Sequence, residues 1–184
     1  TGRTASFELT GKNAGSYILD VSHKDDYAEI RIERRPFSSR LLSGTPELQI
    51  YLPANSMQSA ELRTVSGRIK LEEPDLHHLQ AVTVSGAISA SGGRVEHYEL
   101  RSTSGRITVK TQQAKGSLRT VSGRIDTEID QLKGDLSITT VSGRIRAVFP
   151  EQLQFRSVID TVSGSVSRER SEEAEGDYLV TMKS

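Results

Sequence analysis

The stretch Thr64-Val65-Ser66-Gly67-Arg68-Ile69 recurs along the chain and decides its fold. The same six residues stand at 120–125 and 140–145, and close variants stand at 83–88, 102–107 and 161–166. The glycines at 67, 86, 105, 123, 143 and 164 are 19, 19, 18, 20 and 21 residues apart. Units that repeat at a period of about 20 residues bury their apolar faces against their neighbours. The sequence therefore predicts a stacked repeat architecture.

Aligning the copies gives columns of aliphatic residues that are predicted to form the core. Such residues, mostly β-branched and spaced two apart, are typical of strands. Three columns lie four before, one before and three after the serine of each copy: Leu62, Ala81, Leu100, Leu118, Ile138 and Ile159; Val65, Val84, Thr103, Val121, Val141 and Val162; and Ile69, Ile88, Ile107, Ile125, Ile145 and Val166. A further inward column is predicted to close each coil: Leu76, Val95, Ala114, Leu132 and Leu153.

The glycine of each copy is predicted to be structural. Either the slot between coils has no room for a Cβ, or the backbone turns there with positive φ. A phosphate-binding loop would need several glycines followed by a helix, and no helix is predicted. The hydroxyl residues are interpreted as ladders between coils, since six equivalent serines have no accompanying base. The structural glycines are Gly67, Gly86, Gly105, Gly123, Gly143 and Gly164.

The composition bounds the class of protein. The 184 residues suffice for one domain, and an aromatic content of only 5% favours a thin aliphatic stack over a globular α/β core. The absence of cysteine excludes disulfides and thiolate zinc sites. A net charge of +0 gives no overall attraction for nucleic acid, so no nucleic-acid partner is expected.

We predict one β-solenoid domain over residues 1–184. Residues 1–60 are predicted to form a β-meander that caps the first coil, residues 61–168 the six repeats, and residues 169–184 an acidic loop and a final strand that caps the last coil. Alternating apolar residues predict the N-terminal strands at 6–10, 16–21, 27–33 and 47–52.

The segments ELQIYLPAN at 47–55 and AELRTVSGRIKLE at 60–72, with the further TVSG copies, resemble a bacterial adhesin family of repeat β-solenoid domains. The resemblance covers about residues 5–184. It implies a solenoid similar in shape to right-handed β-helices, an envelope context and no catalytic residues. Family members often carry an acidic or amide residue after the glycine, where four copies here carry arginine.

Searching the sequence for chemistry gives no predicted catalytic, cofactor-binding or metal-binding residue. His77 and His78 are expected to point to opposite faces of a strand, which separates them as ligands. Asp126 and Asp160 fall in different columns, whereas glycoside hydrolysis needs paired carboxylates at a fixed separation.

Arginines form the one surface pattern that indicates a binding role. They lie two residues after the serine, at Arg68, Arg106, Arg124 and Arg144, and three residues before it, at Arg63, Arg101 and Arg119. With strands about 4.8 Å apart, the outward residues Arg106, Arg124 and Arg144 of three successive coils form a stripe, whereas Ala87 and Ser165 take this position in the second and sixth copies. The stripe suits an anionic wall polymer, lipid headgroups or an acidic envelope protein. The alternative is a solvated face interleaved with carboxylates such as Glu61 and Glu99.

We therefore expect a non-enzymatic binding or scaffold module of the bacterial cell envelope. It is expected outside the cytoplasm or on the cell surface, through a signal or anchor that this sequence lacks, with a cytoplasmic location left open. The alternatives are a polysaccharide-active enzyme of the β-helix type, and a structural spacer or sensor domain of an envelope-stress protein. The oligomeric state is also left open.

Overall fold

A computed structural model describes residues 6–10, 14–24, 27–35, 47–51, 58–65, 67–160, 163–169 and 177–184. The chain divides into two compact units, Thr1–Pro53 and Ala54–Ser184. Within the described residues the structure is almost entirely strand, and the only helical segment there is a 3-10 turn, Ala14–Ser16. The all-β class that the sequence predicts is confirmed.

The first unit contains two antiparallel strand pairs. Its strands are β1 (Ser6–Thr10), β2 (Tyr17–Lys24), β3 (Tyr27–Arg34) and β4 (Glu47–Tyr51). β2 pairs with β3, and β1 pairs with β4. The expected meander is wrong, because a meander would pair β1 with β2. The capping role of these strands stays a prediction.

The second unit is a parallel β-solenoid of about six turns, as the repeats predict. Each coil contributes strands to two walls. The first wall has the order β5-β7-β9-β10-β11-β15-β13, and the second wall has the order β6-β8-β10-β11-β12-β14. The strands are β5 (Ser59–Thr64), β6 (Ile69–Glu72), β7 (Asp75–Thr83), β8 (Ile88–Ser91), β9 (Arg94–Ser102), β10 (Arg106–Thr120), β11 (Arg124–Thr139), β12 (Arg144–Val148), β13 (Arg156–Asp160), β14 (Ser165–Glu169) and β15 (Leu179–Lys183).

Stacked aliphatic columns form the core. The isoleucine column is in register from Ile69 through Ile88, Ile107, Ile125 and Ile145 to Val166, and its four middle members are fully buried. Burial of each such side chain stabilises the fold by about 1.5–3 kcal/mol. The predicted columns at Ala81–Leu100–Leu118–Ile138 and Leu76–Val95–Ala114–Leu132 are also buried. Leu62, Ile69, Leu153 and Val166 are partly buried against this core.

A bulge absorbs the change in period between the third and fourth coils. Ala114 lies opposite Leu132, but Gly116 lies opposite Leu136, so the longer strand accommodates extra residues between these pairs. Gly116 has φ +118° and lies against the backbone of Tyr98, which leaves no room for a side chain. Because the irregularity is confined to this corner, the Thr-Val-Ser-Gly turns of both coils stay aligned.

The final strand occupies a different place from the one that the sequence predicts. β15 lies between β11 and β13, with Ile138, Met182 and Ile159 in register. Val180 and Met182 are fully buried. β15 is therefore an internal strand of the first wall rather than an outer cap, and Ile159 does not stack directly on Ile138. Residues 170–176, most of the predicted acidic loop, lie outside the described residues.

Ser184 completes the coil that β15 fills. Its N–H donates to the Asp160 carbonyl at 2.7 Å, and its hydroxyl donates to the Gly143 carbonyl at 3.1 Å. The residue is 2% exposed. Ser184 therefore takes the same position in its coil as Thr120 and Thr140 take in theirs.

Candidate binding edge of the solenoid

Each copy of the phrase that the structure describes in full, at 83–88, 102–107, 120–125 and 140–145, forms a tight turn between the two walls. The hydroxyl of its first residue faces inward and accepts the N–H of the glycine three residues later, at 2.8–3.2 Å for Thr64, Thr83, Ser102 and Thr120. Such side-chain to backbone bonds are common in turns. The hydroxyl column therefore serves mainly its own turn, with longer bonds to the coil below at Thr120 and Thr140.

The glycines are placed where successive turns touch. A Cβ on Gly86, Gly105, Gly123 or Gly143 would overlap the carbonyl oxygen of the glycine one coil below. Positive φ among the described glycines occurs at Gly92, Gly93 and Gly116, so it is not the reason for glycine in the phrase. Of the two interpretations that the sequence offers, close backbone approach is the one that the geometry supports.

The valines of the phrase that the structure describes are exposed, so their expected core position is wrong. Val162, the last member of the predicted column, lies outside the described residues. Val65, Val84, Val121 and Val141 are 69%, 48%, 45% and 59% exposed. The turn breaks the alternation of strand residues because the hydroxyl residue before the valine already points inward. Valine and serine then both face solvent, and the inward direction returns at glycine and isoleucine.

Hydrogen bonds join each turn to the one below. The N–H groups of Ser85, Ser104, Ser122 and Ser142 donate to the carbonyls of Val65, Val84, Thr103 and Val121 at 2.8–3.0 Å. The amides of Val84, Thr103, Val121 and Val141 donate to carbonyls of the same lower turns at 3.0–3.2 Å. These hydrogen bonds therefore cross-link the turns along one edge of the solenoid.

The arginines after the glycine form one outward column. Arg106, Arg124 and Arg144 are in register on neighbouring strands, and Ser165 continues the column. Arg68 is likewise exposed, in the first coil. Arg106 lies 3.8 Å from Asp126, and Arg144 donates to the Ser165 hydroxyl at 3.2 Å. Repulsion of about 1 kcal/mol per close pair in water is small enough for the column to persist.

The arginines before the hydroxyl residue form a second outward column on the first wall. Its register runs Arg63, Val82, Arg101, Arg119 and Thr139. Arg63 and Arg101 each pair with the glutamate two residues earlier, Glu61 and Glu99, at 2.5 Å.

Arg119 is the next arginine of this column. Ser117 stands two residues before it, where Arg63 and Arg101 have a glutamate. Among the described residues, none forms an ion pair or a side-chain hydrogen bond with the guanidinium group of Arg68, Arg119 or Arg124. Arg68 and Arg119 are exposed, and Arg124 is half-buried.

The two columns bracket the valines. Arg63 and Arg68 flank the turn at 64–67, Arg101 and Arg106 flank that at 102–105, and Arg119 and Arg124 flank that at 120–123. The turn at 83–86 is flanked by Val82 and Ala87. We call this surface, comprising the turns at 64–67, 83–86, 102–105, 120–123 and 140–143 with the seven arginines, the arginine–valine edge.

The histidines occupy a corner away from this edge. Leu76 and Leu79 both point inward, so His77 and His78 both face outward, contrary to the expected alternation. His77 Nδ1 lies 3.2 Å from Glu96, and the ring of His78 stacks on that of His97 at 5.1 Å. Burial, and then the charges of His78 and Lys115, lower the pKa of His97. Among the described residues, no group of three potential metal ligands comes together.

The carboxylates do not meet either. Asp126 faces Arg106, and Asp160 lies 3.7 Å from Lys183. The hydrogen bond from Lys110 lowers the pKa of Glu128, which lies on the exposed side of β11. These contacts are ordinary surface ion pairs.

Sequence reasoning placed the arginines outward but missed the valine line between them. The sequence contained a signal, because the otherwise aliphatic valine column has a polar residue, Thr103, in the third copy. A polar residue in a closed aliphatic column would cost free energy unless it were hydrogen-bonded. Thr103 therefore marked its column as the solvent-facing one.

The parallel coils, their inward aliphatic columns and their repeated turns define a β-solenoid repeat protein. The chain belongs to the Toastrack DUF4097 family, which matches residues 6–183. This match confirms the predicted class of repeat β-solenoid domains. It does not support the adhesin label that the sequence resemblance carried. No curated protein and no solved structure matches the chain. In the part of the chain that the structure describes, no helix has the length and apolar character to cross a bilayer.

Proposed function

We propose that this chain is a non-enzymatic binding module of the bacterial cell envelope, adhesin-like in presenting a repeated surface, and that its arginine–valine edge binds polyanions. The observation that carries the proposal is the pair of arginine columns on a rigid edge. Guanidinium groups bind phosphate and carboxylate through two parallel hydrogen bonds. Arg68, Arg119 and Arg124 are not engaged by described carboxylates, so a polyanion need not displace an internal partner there.

The repeat geometry favours a polymeric or extended partner. Neighbouring strands are about 4.8 Å apart, so Arg106, Arg124 and Arg144 present three charges at short intervals, and Arg101 and Arg119 present two in the other column. A partner with many anionic groups can contact several arginines at once, and the second and later contacts are intramolecular. The bacterial envelope exposes such partners as anionic wall polymers and lipid headgroups.

The test is retention on immobilised polyphosphate by a variant in which Arg106, Arg124 and Arg144 are all changed to serine. We expect the thermal midpoint to change little, because exposed charges contribute little to stability. Retention should fall sharply at low salt. Wild-type retention should itself weaken as salt passes about 0.15 M, where the Debye length falls to about 8 Å.

The matched control changes Lys70, Lys110 and Lys133 to serine. It removes the same formal charge from exposed positions off the edge. If both triple variants lose retention equally, net charge governs binding and the edge is not a site. If wild type is not retained at any salt concentration, the spacer role becomes the better account.

A further inference from the structure

The arginine–valine edge exposes four valines to solvent. Val65, Val84, Val121 and Val141 lie in line on consecutive or near-consecutive turns, with Thr103 between the second and third. Single exposed apolar residues are ordinary, but two pairs of them on neighbouring turns, Val65 with Val84 and Val121 with Val141, favour an interaction surface. Local backbone preference does not explain valine, because threonine is equally β-branched and Thr103 occupies an equivalent turn.

A partner that uses the whole edge has to contact the apolar valines and the cationic arginines at the same time. The valine line runs between the two arginine columns: arginines flank Val65 and Val121 on both sides and Val141 on one side, whereas Val82 and Ala87 flank the turn of Val84. A soluble polyanion can contact the arginines but gains nothing from the valines. An anionic bilayer offers phosphates to the arginines and, just below them, the boundary of the acyl chains to the valines.

The backbone of the edge argues against a peptide strand as the partner. Peptides that add to a sheet bond to unpaired amides and carbonyls. Here the amides of Val84, Ser85, Thr103 and Ser104, and those of the next two turns, already donate to the turn below. The same bonds cross-link neighbouring turns, so docking on a surface requires no new backbone pairing.

We infer that the arginine–valine edge docks on anionic lipid bilayers, with its valines in the headgroup–acyl boundary and its arginines on lipid phosphates. This inference rests on the proposed function and names its partner. Lipid binding scales with buried apolar area as well as with charge, so the valines supply the part of the affinity that salt does not screen.

The decisive variant changes Val65, Val84, Val121 and Val141 to threonine. The substitution keeps side-chain shape, follows the precedent of Thr103 and leaves every charge in place. Binding is measured by sedimentation with vesicles of phosphatidylglycerol mixed with phosphatidylcholine, and in parallel by retention on polyphosphate. Circular dichroism and the thermal midpoint verify that each variant is folded.

We expect the threonine variant to lose about tenfold in vesicle partitioning, most clearly at high salt, and to keep wild-type retention on polyphosphate. The serine variant of Arg106, Arg124 and Arg144 should lose both. Vesicles of phosphatidylcholine alone should bind weakly.

Three results would overturn the inference. Unchanged vesicle binding by the threonine variant, with polyphosphate retention still dependent on the arginines, removes the bilayer and leaves the proposed function standing. Equal binding to vesicles of phosphatidylcholine alone removes the role of the anionic lipid. Failure of wild type to bind either probe removes both proposals.

Discussion

At the scale of single residues, the glycine of each turn limits how closely the coils stack. A Cβ on Gly123 would overlap the Gly105 carbonyl oxygen and crowd the Thr120 hydroxyl. Neither group can move without breaking bonds that tie one turn to the next. The glycine column is thus a requirement of backbone packing and not of backbone conformation.

We expect Gly123→Ala to lower the free energy of unfolding by about 2 kcal/mol or more, since a methyl group is forced into a closed site. Thermal and denaturant unfolding measure the loss. Gly134→Ala is the control, because its Cβ would meet only the side chain of Lys115, at 3.3 Å. Equal losses at the two positions would mean that close backbone approach is not what selects glycine.

The residues of the phrase also show which side-chain directions could be predicted from the sequence. The period-2 rule correctly placed glycine and isoleucine inward and arginine outward. It failed for valine because the rule assumes an unbroken strand, whereas the hydroxyl of the preceding residue bends the chain by bonding to the glycine N–H. That hydrogen bond decides whether the hydroxyl residue or the valine after it points inward, and the spacing of apolar residues does not encode it.

At the scale of elements, β15 is the strand that the repeats did not predict. The columns favoured β13 directly on β11, since Ile138 and Ile159 belong to the same column. The strand that takes this place has the sequence LVTMK, which does not belong to any copy of the phrase. A sequence pattern finds strands that repeat, but it does not rank them against a strand of different sequence that also buries two apolar side chains.

We expect Met182→Ala to destabilise the solenoid by about 2–5 kcal/mol, as for a buried core position. Thr181→Ala, one residue earlier on the partly exposed side of the strand, should cost about 1 kcal/mol or less. Denaturant unfolding of both variants makes the comparison. Similar small effects from the two substitutions would show that β15 is an outer strand and not an internal one.

At the scale of the whole molecule, the coils are near-equivalent units whose stability is a sum of unit and interface terms. The sequence alone predicted this much, including the all-β class and the period. The pairing of the N-terminal strands was not predictable, because alternation identifies strands without saying which of them pair.

Deletion of residues 105–122 should leave a shorter folded solenoid. It joins Ser104 to Gly123, removes one full coil and keeps every column continuous, with Leu100 brought next to Ile138. Circular dichroism should retain its strand signal, and gel filtration should give a smaller compact species.

Deletion of residues 106–114 should instead disrupt the fold. It removes the strand of the second wall from one coil and leaves the strand of the first wall in place, so the two walls cannot both stay continuous. If both deletions were tolerated equally, stacking of whole coils would not be the source of stability.

The place of β15 also sets an order of events during synthesis of the protein. β13 precedes β15 in the chain yet lies outside it in the first wall. The coils as far as β11 each pair with a strand that precedes them in the chain, whereas β13 gains its neighbour in the first wall only when residues 179–183 are present. The native first wall therefore cannot be completed in chain order: its outermost strand has to wait for a strand that is made after it.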